Sequence, residues 1–170
     1  FTSTLGAGTI GLSNFLSRMR EVSKETTAAR IALKNVSSSA QEFADSQKWL
    51  LDVSKRYGVG INTLTSGFAK FKSAADNAGM SLSDQKEIFE AVSRASVAYA
   101  LSAEDQRGIF IALQQMMSKG KVMAEELRLQ MAERMPVALQ AMAAASNTTV
   151  AGLDALMKKG KVLSSEVLPE

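Results

Sequence analysis

Met117-Ser118-Lys119-Gly120-Lys121-Val122-Met123-Ala124-Glu125-Glu126-Leu127 nearly returns 40 residues on, as Met157-Lys158-Lys159-Gly160-Lys161-Val162-Leu163-Ser164-Ser165-Glu166-Val167. A helix-forming segment precedes each copy, and each glycine stands where that helix should stop. Lysine favours the negative end of a helix, and glycine takes up the positive φ of a left-handed cap at little cost. Both turns therefore read as helix C-caps. A phosphate cradle is the competing reading, but the P-loop spacing is missing and no strand runs into the turn. Repeated punctuation of this kind indicates repeated helical architecture.

The flanking sequence extends the helical reading in both directions. Downstream of Gly120, a helix is expected over about Ala124 to Arg134, carrying Leu127 and Met131. Pro136 suits the first turn of a short helix, Val137 to Ala145. Asn147-Thr148-Thr149 offers the cap for a last helix, Val150 to Lys159. Upstream, Asp84-Gln85-Lys86-Glu87-Ile88-Phe89 resembles Asp105-Gln106-Arg107-Gly108-Ile109-Phe110, offset by 21 residues. Ser81 and Ser102 stand three residues before the two aspartates, the spacing of an N-cap with an acidic third residue. Two helices follow, about 83–99 and 103–118. Ile88, Phe89 and Val92 are expected to bury against Ile109, Phe110 and Leu113. Ile61, Leu64, Phe68, Phe71 and Ala75 stripe an earlier helix that Gly79 closes, and Gly58 caps the one before it.

The first third of the chain carries a longer seam. Leu12, Phe15, Met19, Val22, Thr26, Ala29, Leu33, Val36, Ala40 and Phe43 alternate steps of three and four, as in a coiled coil. The seam continues through Gln47, Leu50, Ser54 and Tyr57, with a break at Ser37-Ser38-Ser39 that offers an N-cap. These patterns divide the chain into a helical arm, 1–36, with a small-residue-rich start, and a helical domain, 37–170. With Phe1 in place of an initiator Met, the sequence is expected to be a segment of a longer chain. No basic region precedes the apolar start, so no signal peptide is expected.

Composition agrees with an all-α fold: a multi-helix globular module of short helices preceded by a long, partly coiled-coil-like arm. The chain of 170 residues is 46% hydrophobic, with nine Met and only two Pro. Ala, Leu, Met, Lys and Glu lose little on entering a helix. Cysteine and histidine are absent. That removes thiolate chemistry, the commonest metal ligand and the usual base near neutral pH. No catalytic, cofactor or metal site is expected. The net charge of +3 is mild and its signs are interspersed, so no specific nucleic-acid partner is expected. No apolar run approaches the ~20 residues of a membrane span.

Three constellations compete with this structural reading. Glu125, Glu126 and Glu133 invite a carboxylate pair for peptidoglycan cleavage, with Glu126 and Glu133 seven apart on one helix face. Arg128, Arg134 and the helix start account for these acids without chemistry, and the second copy replaces Glu125 by Ser165. The segment 143–160 has the outline of a helix-turn-helix, but Val150-Ala151-Gly152-Leu153 displays no side chain that reads bases. Trp49 reads as a packing anchor and a candidate partner contact.

The ordered succession Leu101-Ser102-Ala103-Glu104-Asp105, Ala112-Leu113-Gln114-Gln115-Met116, Ser118-Lys119-Gly120-Lys121-Val122, Ala124-Glu125-Glu126-Leu127-Arg128, Gln130-Met131-Ala132-Glu133 and Met135-Pro136 resembles the conserved domain of tail tape measure proteins of tailed phages and prophages. Tyr57-Gly58-Val59, Phe68-Ala69-Lys70-Phe71, the second Lys-Gly-Lys-Val and Leu168-Pro169 extend the likeness over about Ser37 to Pro169. The resemblance implies a structural role: a tape measure that sets tail length while tube subunits polymerise around it. It implies tail tube and tail-tip proteins and tail assembly chaperones as partners. The arm 1–36 lies outside the resemblance; its seam is expected to bundle with other copies or with other parts of the chain. The resemblance implies a place in the virion, in the lumen of the tail tube, after assembly in the bacterial cytoplasm. It carries Gln114, Lys119, Gly120, Lys121, Val122, Glu125, Glu126, Leu127 and Pro136, with Lys159, Gly160, Lys161 and Val162, over as structural or contact positions. It supplies no catalytic residue.

Overall fold

The computed structural model describes the backbone of residues 5–170 and the side chains of residues 17–170; the expected seam positions Leu12 and Phe15 lie outside the described side chains. Helices run in the order α1 (Leu5–Val36), α2 (Ala40–Tyr57), α3 (Ile61–Asn77), α4 (Leu82–Ala98) and α5 (Ala103–Lys119). A π-helical segment (Glu125–Ala132) follows, then α6 (Val137–Ala145), α7 (Val150–Lys158) and the four-residue α8 (Ser164–Val167), which no sequence pattern announced. The only extended pairing among the described residues is one antiparallel bridge, Lys121 to Leu163. The fold is all-α.

The local signals act where the sequence places them. Ser39, Ser81, Ser102 and Thr149 accept hydrogen bonds from Glu42, Asp84, Asp105 and Gly152 N–H groups at the four helix starts. Each satisfies an amide that the helix itself cannot. Gly58, Gly79, Gly120 and Gly160 hold positive φ at or just beyond helix ends.

α3 is the central helix, packed against α1, α2, α4 and α5. Leu64, Phe68, Ala69, Phe71, Ala74 and Ala75 are all buried, so apolar contact surrounds much of its circumference. Gly67 lets α5 approach: a β-carbon there would lie 2.9 Å from Phe110 Cδ2. The expected contact between α4 and α5 forms around Phe89, which stacks on Phe110 at 4.5 Å, while Phe68 meets Phe89 edge-on at 5.3 Å. Each fully buried ring contributes roughly 1.5–3 kcal/mol. Trp49 packs edge-on against Phe68 at 4.8 Å and donates its indole N–H to Glu90, so it serves as a packing anchor.

The seam divides at Thr26. Ala29 and Leu33 are buried, and Val36 packs against the core. Met19 and Val22 are 56% and 58% exposed. The inner turns of α1 thus pack on the chain's own α3, and the residues 17–25 stand in solvent.

One polar network was not foreseen. Lys72 is buried on α3, with its ammonium 3.0 Å from Glu42 and 2.9 Å from Asp76. Gln85 donates to Asp76 at 2.7 Å and to the Met80 carbonyl at 2.8 Å. Glu42 in turn accepts from the Ser38 N–H at 3.3 Å, tying the α1–α2 hinge to α3. Burial works against the Lys72 charge, but the hydrogen bonds to Asp76 and Glu42 outweigh it and raise its pKa. Burial likewise opposes the Glu42 carboxylate, yet the Ser38 and Lys72 hydrogen bonds hold its pKa below the ordinary value.

Candidate functional site

The two Lys-Gly-Lys-Val turns meet each other. α5 ends at Gly120 with φ +68°, and the turn after α7 holds Gly160 at φ +63°. Beyond these caps the two copies run antiparallel. The Val122 N–H donates to the Val162 carbonyl at 2.8 Å, and the Ser164 N–H donates to the Gly120 carbonyl at 3.2 Å. The Ser164 hydroxyl is buried and donates to the Met116 carbonyl at 2.6 Å, covering an acceptor near the end of α5. Val122 and Val162 are both buried. The repeat in the sequence is therefore a clasp in space: it joins the end of α5 to the end of α7 across 40 residues of chain.

The π-helical segment hangs from this clasp. An α-helix over Ala124 to Arg134 was expected, and the segment winds instead as a π-helix over Glu125–Ala132. Its buried residues are Glu126, Leu127, Met131 and Ala132, recurring five apart. Five-residue recurrence aligns on one face of an i→i+5 helix and diverges on an α-helix. Three polar ties pin the same segment. Glu126 is ion-paired with Lys119, whose ammonium also lies 3.9 Å from Glu125. Arg128 grips Asp154 on α7 with two bonds of 2.7 and 2.6 Å. Arg134 reaches Asp105 on α5 at 3.2 Å and the Gln130 carbonyl at 2.6 Å. The hydrogen bond to Glu126 raises the Lys119 pKa, and the one from Arg128 lowers that of Asp154.

This geometry corrects the paired-carboxylate reading. Glu126 is 1% exposed while Glu133 is exposed at the turn after the segment, so the two do not share a face. The cause is the π winding, which abolishes the seven-residue alignment of an α-helix. Three clefts, of about 400, 550 and 500 Å³, are lined by neither glutamate. One Glu126 oxygen is taken by Lys119, and the other is buried without a hydrogen-bond partner. A buried, ion-paired carboxylate favours a structural role over hydrolysis.

Leu127 is a buried residue of the π-helical segment itself, and Gln114 on α5 donates to the Ser118 hydroxyl at 2.8 Å. Lys121, Lys159, Lys161 and Pro136 are exposed. Sequence reading missed Ser164 and the Arg128–Asp154 pair. The first had no local signal, and the second joins residues 26 apart. Among the described residues no group of three or more potential metal ligands occurs, and no helix is long and apolar enough to cross a membrane.

Fold and site define an all-helical module whose recurrent motif is spent on internal closure. The chain belongs to the tape measure protein family: the family model described as "Tape measure protein" matches residues 17–169. A stretch of 67 residues is 52% identical to the "Probable tape measure protein" of Salmonella phage Felix O1 (isolate Felix O1-VT1), covering 39% of this chain and 9% of that protein. No solved structure matches. The matched stretch is thus a small part of that relative's length.

Proposed function

We propose that this chain is a folded helical station within a phage tape measure protein, acting structurally in tail assembly and tail-length determination. The observation that carries the reading is the family match over residues 17–169, the span that holds both the clasp and the core. The buried, ion-paired state of Glu126 supports a structural use of the motif over hydrolysis. Lys119, Lys121, Lys159 and Lys161, exposed at the clasp, and Pro136, exposed at the start of α6, are the proposed contact positions. Gln114, Gly120, Val122, Glu125, Glu126, Leu127, Gly160 and Val162 complete the set as positions that form or flank it. Tail tube and tail-tip proteins and tail assembly chaperones are the proposed partners, and the tube lumen the proposed location. The division into arm 1–36 and module 37–170 is proposed as a functional one. The arm is the self-association element, because its apolar side chains Met19 and Val22 are exposed and isolated helical segments are marginal in water.

The test is tail length. In a phage whose tape measure gene encodes this chain, the 32 residues of α1 are duplicated in frame. At 1.5 Å rise per residue the tail should lengthen by about 48 Å in electron micrographs, if the insert stays helical. Full-length virions with unchanged tails would sink the reading.

A further inference from the structure

Two complementary features on this chain do not meet within it. The first is an apolar groove of about 550 Å³ between α4, the π-helical segment, α6 and α8. Its wall pairs small side chains, Ala91, Ala95 and Ala141, with Val92, Met135 and Met142. Alanines allow close approach of a helix, and methionines adapt to its side chains. Through Ala144, Ala145, Val167 and Glu170 the groove shares its lining with a polar hollow of about 500 Å³. Glu166 and Glu170 line that hollow with Lys161, and among the described residues neither glutamate is in an ion pair. The buried Ser146 hydroxyl at the same place has no hydrogen-bond partner.

The second feature is the arm. Residues 17–25 are all exposed, with Met19 and Val22 one turn apart on the helix. Residues 17–25 carry Arg18, Arg20 and Lys24 against Glu21 and Glu25, a net charge of +1, with both arginines beside Met19. An apolar stripe flanked by excess positive charge matches an apolar groove that ends in excess negative charge. The arm's own exposure shows that it does not occupy the groove of its own chain.

We propose that the groove of one copy receives the α1 arm of a second copy. Met19 and Val22 lie on the alanine and methionine wall, and Arg18 or Arg20 reaches Glu166 and Glu170. This rests on the arm being the self-association element and names the surface that it binds. The contact is heterologous, so it joins copies head to tail.

Sedimentation of the 170-residue chain and two variants tests this, with far-UV circular dichroism confirming the fold of each. Met19→Glu/Val22→Glu disables the arm, and Ala91→Glu/Ala141→Glu, at two exposed positions, disables the groove. The wild type should associate with rising concentration, and each variant alone should do so at least tenfold more weakly. An equimolar mixture of the two should form a 1:1 complex that grows no further, since one member keeps a groove and the other an arm. Glu166→Arg/Glu170→Arg should weaken association, and adding Arg18→Glu/Arg20→Glu should restore it. Loss in the arm variant with wild-type association in the groove variant would mean that arms bundle with arms; the inference then fails and the self-association reading stands. A wild type that stays monomeric at high micromolar concentration removes both.

Discussion

Val122 and Val162 offer a quantitative test of the clasp. The Lys121–Leu163 bridge sets these two valines opposite each other, and both are buried. Directly opposed residues in an antiparallel pair have β-carbons about 4.5–5.5 Å apart. Val→Ala removes two carbon groups, worth about 1.6 kcal/mol of transfer free energy at roughly 0.8 kcal/mol per group. The cavity adds to this, so each single variant should lose about 2 kcal/mol. In the double variant the two cavities share a wall, and part of the second loss has already been incurred. The combined loss should fall short of the sum by about 0.5 kcal/mol or more. Urea denaturation followed by circular dichroism measures this, with an unchanged dependence on denaturant as the sign that stability alone has moved. Lys121→Ala, at an exposed position of the same bridge, should stay within about 0.5 kcal/mol of the wild type. Losses that add to within about 0.3 kcal/mol would refute direct packing of the two turns.

Three further outcomes follow from the packing and the charges. Gly67→Ala improves helix propensity by about 1 kcal/mol, yet its β-carbon would meet Phe110 at Cβ and Cγ as well as at Cδ2, atoms that cannot swing aside. Net destabilisation on denaturation, partly relieved by Phe110→Leu, is expected; a more stable Gly67→Ala chain would contradict the close α3–α5 approach. Glu42, with its folded pKa depressed, adds stability that is present above its unfolded value of 4.5 and lost as pH falls through the folded value. Lys72, with its folded pKa raised, adds stability present below 10.5 and lost as pH climbs through the folded value. Glu42→Gln should flatten the acid limb of a melting-temperature profile, and an unaltered limb would show that the Lys72 network is not its source. Ser102→Ala should cost about 1 kcal/mol by orphaning the Asp105 N–H, as thermal denaturation will register; no loss would mean that the cap is dispensable.

Much of this architecture was legible because helix signals are local. A serine three residues before an aspartate, or a glycine at the end of a helical stretch, acts on amides and carbonyls within one turn. Ser81, Ser102, Gly58, Gly120 and the Pro136 start of α6 accordingly stand where they were expected. The core stripe of α3 was equally readable, because periodicity alone assigns a buried face. The π-helical segment was not, since its five-residue recurrence includes a glutamate, Glu126, which is buried only through its ion pair with Lys119 on α5. The buried Lys72 was hidden for the same reason: its i+4 partner Asp76 looks like any surface pair, while Glu42 comes from another helix.

The sequence by itself determined an all-helical chain, its caps, its repeat and its family resemblance. Only the tertiary structure decided what the repeat is for. Capping is paid in hydrogen bonds within one turn, so residues adjacent in sequence settle it. The pairing of Val122 with Val162 closes 40 residues of chain, and nothing near either valine specifies the other. That contact exists because α5, the π-helical segment, α6 and α7 bury their apolar faces together, and in doing so bring the two turns side by side.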